Sequence, residues 1–197
     1  MENKLHRVVL PFFVYAAFAF LVAIVLITLN TTSFFGFHFE PKLLAITHVF
    51  ALGWATMMIV GACYQLIPFL NRVPLYSYSL AYCSFVLLAI GIPMIVFSFA
   101  FFAFNMISLI GGAMINCAFL CFIYTIWKTV NKQREINIHS VYIIVSSIWL
   151  VLTAFVGFLI LLNFNYSFLS KESIYYLSFH AHIGFVGWFL LLIIGVS

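Results

Sequence analysis

Three histidines carry the chemistry that this sequence offers. His48 lies in "THVFALGWATMMIVGAC" (Thr47–Cys63), and His180 and His182 lie in "FHAHIGFVGWFLLLIIGVS", which closes the chain. Each interrupts an apolar run, where an ionisable side chain is costly and is by default a candidate site. Neutral imidazole is a good ligand for haem iron, and two helices can each offer one from opposite faces of the porphyrin. For any single one of the three, a structural hydrogen bond to a neighbouring helix is the plainer alternative.

Their arrangement repeats. Thr47–Cys63 laid over Ala181–Ser197 pairs His48 with His182, Gly53 with Gly187, Trp54 with Trp188, Ile59 with Ile193 and Gly61 with Gly195, five identities in seventeen at an offset of 134. The two segments run in the same direction, so the repeat is parallel. His48 and His182 are therefore expected to face each other as the axial pair of a low-spin haem iron. His180 is two residues from His182, about 200° around an α-helix, and points elsewhere. It is the candidate for a second haem iron. Gly53, Gly184 and Gly187 would leave room beside the histidines for a flat macrocycle or for a close helix neighbour.

The remaining polar residues offer less. His6 and His38 read as interfacial, and His139 falls at one end of a span. Gln65 and Asn105 read as interhelical hydrogen bonds. Cys63, Cys83, Cys117 and Cys121 all fall in apolar runs without metal-ligand spacing, and read as small buried hydrophobes. Glu40 and Glu172 lie in loops on one side, Glu2 and Glu135 on the other, so no carboxylate within a span is available to relay protons.

The elements that must hold these histidines are membrane helices. Charged residues make up 6% of the chain and hydrophobic ones 66%, against about 25% charged in soluble domains. Six spans of about 20 apolar residues follow: Val8–Leu29, Leu43–Leu70, Tyr76–Phe99, Asn105–Trp127, Val141–Leu162, and a sixth from Ser173 to the last residue. The fold class is an all-α polytopic membrane bundle, forming a single domain over residues 1–197. The first run is too long for the apolar core of a signal peptide, and no small-residue cleavage site follows it. Lys4, Arg7, Arg72, Lys128, Lys132 and Arg134 fall on one side and Lys42 and Lys171 on the other. The positive-inside rule then puts the N-terminus and the "NKQRE" loop in the cytoplasm. Tyr76, Tyr78, Tyr175 and Tyr176 fall at span ends, as an interfacial aromatic belt requires. The first copy of the repeat closes with Pro68 and a basic residue, whereas the second stops without a polar flank. The expectation is a fragment whose further helices lie beyond Ser197.

With these residues in view, "THVFALGWATMMIVGACYQLIP" resembles helix II of subunit I in the haem–copper oxidase superfamily, especially its nitric-oxide-reductase branch. The "HAH" of the sixth span resembles the His-x-His of helix X in that family. The resemblance implies low-spin haem ligation by His48 and His182, and proximal ligation of a high-spin haem by His180. It covers spans 2 and 6; the other spans match only in general character. The family places seven helices between the two motifs where this chain has three, and no intervening span offers copper-ligating histidines, so copper is not supported. A second resemblance is to the haem- and copper-containing NnrS-like proteins of the nitric-oxide response.

The expected function is that of a b-type haem protein of the bacterial plasma membrane, carrying one or two haems. It would transfer electrons or handle a diatomic gas such as O2 or NO. If it is an enzyme, it is an oxidoreductase of the oxidase type. Cytochrome c or quinol would be its redox partner, the lipid bilayer its surroundings, and an oligomer is open. The alternatives are an NnrS-like non-enzymatic haem or metal protein and a parallel-repeat transporter. Nucleic-acid binding finds no support, because the basic residues are scattered.

Overall fold

The computed structural model describes residues 2–31, 40–132 and 137–197; His38, Arg134 and Glu135 lie outside them. The described residues form six long helices: α1 (Glu2–Leu29), α2 (Pro41–Asn71), α3 (Tyr78–Ala100), α4 (Met106–Val130), α5 (Ile138–Tyr166) and α6 (Ser173–Val196). All six are long and apolar enough to cross a membrane, as the hydropathy pattern predicts. That is the pattern of a multi-pass membrane protein, in which each helix satisfies its own backbone.

The helix ends have local causes. Arg72 closes α2 in a left-handed conformation (φ 52°), with the Arg72 and Val73 amides donating to the Phe69 and Pro68 carbonyls. Pro68 lies inside α2 and does not end it, contrary to the sequence reading. Phe102, also left-handed (φ 48°), turns the chain from α3 into α4. Asn105 then caps α4: its side-chain oxygen accepts from the Ile107 amide, and its own amide donates to the Ser108 hydroxyl. Asn105 is thus a helix N-cap and not the interhelical polar contact expected of it. Asn163 ties the α5–α6 turn, accepting from the Leu169 amide and donating to the Lys171 carbonyl and the Ser173 hydroxyl.

Successive helices run up and down, each packed on its predecessor, with α2 also against α4. The core gathers around α2. Tyr64 is fully buried, its hydroxyl 2.9 Å from that of Ser84, and Phe12 and Phe122 flank its ring at 5.7 and 5.3 Å. Helices α3 and α4 approach most closely where Gly91 meets Gly111: a Cβ on Gly91 would sit 2.9 Å from the Gly111 carbonyl oxygen. Small residues at such crossings let backbones pack where lipid offers no hydrophobic drive.

Helix α6 sits at the edge of the bundle and packs along α5, making no comparable contact with α2. The expectation that helices 2 and 6 are neighbours is therefore not met. The reason lies in the glycines. Added Cβ atoms would meet Thr153 at 3.1 Å from Gly184 and Trp149 at 2.7 Å from Gly187, and Gly195 lies directly on Tyr142. All three partners are on α5.

Candidate functional site

His48 and His182 occupy the same local structure. Each is the last residue of an α-helical stretch (Pro41–His48, Ser173–His182). Each is followed by eight residues with π-helical hydrogen bonding, Val49–Thr56 and Ile183–Leu190, at the 134-residue offset. Such π segments are rare and are frequent at functional sites. In both, Nδ1 lies on a carbonyl one turn back: Leu44 at 2.8 Å for His48, Ser178 at 2.6 Å for His182. A carbonyl can only accept, so Nδ1 carries the hydrogen and Nε2 keeps its lone pair. That is the tautomer in which histidine ligates a metal, the second nitrogen fixed by a carbonyl behind it.

Their surroundings differ. The His48 ring is half-buried and tilted against Phe99 of α3, with centroids 4.4 Å apart. Phe99 leads into an aromatic group in which Phe104 and Phe164 stack at 4.3 Å. The His182 ring is exposed on the outer side of α6.

His180 takes the inner position. It lies four residues before Gly184 and seven before Gly187, on the face that packs against α5. Its ring rests on Gly157, where an added Cβ would come within 2.9 Å of Cε1, and it is turned toward the Thr153 backbone. His180 Nδ1 is the one buried side-chain nitrogen or oxygen without a hydrogen-bond partner among the described residues. His180 is also close enough to His48 for the two rings to interact electrostatically. Both residues lie seven positions into their helices, about 10 Å from the helix ends.

His180 and His182 point to different sides, as expected: His180 lies against α5 and His182 is exposed. The spacing of His180, Gly184 and Gly187 marks the face that packs on α5.

The other sequence candidates resolve as follows. Gly53 holds α1, a Cβ there lying 3.0 Å from Ala19 Cβ. With Gly184 and Gly187 on α5, all three glycines serve helix packing. His6 is exposed at the start of α1. The His139 Nδ1–H donates to the Gly195 carbonyl at 2.7 Å, tying α5 to the end of α6. Gln65 is exposed and makes no interhelical bond among the described residues. Cys63 is buried as expected, whereas Cys83 and Cys117 are exposed and Cys121 partly so.

No group of three or more His, Cys, Asp or Glu side chains comes together to hold a metal ion among the described residues. The inner constellation is thus two imidazoles in an apolar, aromatic setting. His48 holds the tautomer in which an imidazole can ligate a metal through Nε2, whereas His180 Nδ1 has no acceptor behind it. Comparison with family models, with curated proteins and with solved structures finds nothing that matches this chain.

Proposed function

We propose that the chain is a haem-binding membrane protein that works in electron transfer or in diatomic-gas chemistry, with His48 and His180 as the residues that hold a b-type haem. Haem would supply a one-electron couple at its iron. The observation that carries the reading is that His48 and His180 are the imidazoles on the packed faces of their helices, His48 against Phe99 of α3 and His180 on Gly157 of α5, close enough to interact electrostatically. With iron at Nε2, His180 Nδ1 would still need an acceptor of the kind that the Leu44 carbonyl provides for His48.

The chain's own residues have definite tasks in this reading. The Leu44 carbonyl holds the hydrogen on His48 Nδ1 and so keeps Nε2 available. Phe99, Phe104 and Phe164 keep water from the site. Gly157 admits the His180 ring against α5. The matching π segments after His48 and His182 support the internal repeat. The basic residues support a cytoplasmic N-terminus, and a bacterial plasma membrane is part of the same proposal. Lys4, Arg7, Arg72, Lys128 and Lys132 gather at one end of the bundle, here the basic end, and Lys42 and Lys171 at the other.

The test is a reduced-minus-oxidised spectrum of protein purified after haem supplementation. The proposal requires a Soret band and a sharp α band at stoichiometric haem. Absence of haem absorbance would refute it.

A further inference from the structure

A second site lies at the basic end of the bundle, away from the histidines. Helices α3, α4 and α5 leave a groove of about 700 Å³, lined by Leu80, Cys121, Tyr124, Trp127, Ile144 and Ile148 among others. It is almost wholly apolar, opens on the lipid-facing side, and has the volume of an ordinary ligand pocket. Aromatic rings frame its basic end. Tyr124 meets Tyr76 edge-on at 5.7 Å, and Trp127 lies 6.4 Å from Tyr124.

Two cations stand over that frame. Lys128 Nζ lies 5.1 Å from the Trp127 ring and 5.7 Å from that of Tyr124. Lys132 Nζ lies 5.4 Å from the Tyr76 ring and donates to the Pro74 carbonyl at 3.4 Å. Neither lysine forms an ion pair with a carboxylate among the described residues. Apolar groove, aromatic collar and two cations without an ion pair among the described residues follow one another toward the basic end of the bundle. The geometry points to a binding site for an anionic glycerophospholipid, with an acyl chain in the groove and the headgroup phosphate at Lys128 and Lys132. Charge complementarity selects the occupant. A zwitterionic lipid brings its own ammonium group, and a soluble phosphate leaves the groove unfilled. Basic pockets between spans are a recognised setting for such headgroups, and each lysine near an anionic surface adds about fivefold in affinity.

Trp127 reports on occupancy directly. The full-length protein is reconstituted with phospholipids brominated on the acyl chain, carrying either phosphatidylglycerol or phosphatidylcholine headgroups. Quenching due to Trp127 is obtained by difference from Trp127→Phe. The site predicts half-maximal quenching at a mole fraction at least about fivefold lower for phosphatidylglycerol. Lys128→Gln with Lys132→Gln, both at the surface, should bring the two lipids level. Cys121→Phe fills the groove, keeps both lysines and should weaken quenching by either lipid. Equal quenching by the two lipids in the unmodified protein would overturn the proposal. So would a preference that survives loss of both lysines, quenching unchanged by Cys121→Phe, or protection by inorganic phosphate alone.

Discussion

The segments around His48 and His182 share a motif, a backbone and a tautomer, yet only the first lies within the bundle. Local sequence explains what they share. The chain bonds each Nδ1 to the carbonyl one turn back, and the π-helical stretch follows each histidine in turn. Neighbouring helices explain what they do not share. Helix α2 packs against α1, α3 and α4, and 39% of its apolar window is buried; α6 packs along α5, and 22% of its window is buried. A motif can thus prepare a ligand without deciding whether anything meets it. Here the residue that turns inward from α6 is His180, outside the repeated pattern.

Substitutions can sharpen or break this contrast. The largest stability loss is expected at Gly61, where a side chain would enter the core at Phe12, whose Cβ lies 2.8 Å from an added Cβ. Gly61→Leu should cost about 3 kcal/mol, at the upper end of overpacking, measured by reversible unfolding in mixed micelles. Gly187→Leu also clashes, with Trp149, but only across the α5–α6 seam. It should cost about 2 kcal/mol and separate α6 while the other helices stay packed, read as selective hydrogen exchange in α6. Equal exchange in α2 would show that α6 is not peripheral. Asn105→Ala removes the cap of α4 and should cost about 1 kcal/mol. His182→Ala should change stability by less than about 0.5 kcal/mol, the range of surface positions. A larger loss would mean that the exposed face of α6 is covered.

Much of the fold was legible because lipid imposes a simple rule. Any spanning segment must be apolar and long enough, so Val8–Leu29 and Val141–Leu162 could be read directly, and the observed helices differ only by running further at their ends. Asn105 was harder to read. Within a nearly apolar stretch, a single asparagine looks like an interhelical contact until the turn at Phe102 shows that a helix starts there. The exposed thiols of Cys83 and Cys117 were misplaced for a related reason. In a helix that is apolar all round, composition does not tell the lipid face from the core.

The histidines themselves were legible as a group, and which of the two on α6 faces the bundle was not. Repeat alignment weighs identical letters, and His48 with His182 are identical at corresponding positions. Packing weighs faces, and His180 shares the face of Gly184 and Gly187, which must lie on α5 because bulkier residues there would strike Thr153 and Trp149. The second signal has the more direct physical cause, and it decides which imidazole turns inward.

The central claim is that His48 and His180 form the ligand pair while His182 stands outside it. The direct test is the low-spin haem spectrum, by optical absorption and low-temperature electron paramagnetic resonance, of His180→Ala and His182→Ala prepared side by side. Loss of either axial imidazole leaves iron five-coordinate. His180→Ala should therefore abolish the six-coordinate low-spin signal, as His48→Ala should, and His182→Ala should leave it unchanged. If His182→Ala abolishes the signal while His180→Ala spares it, the inner pair is not the haem site.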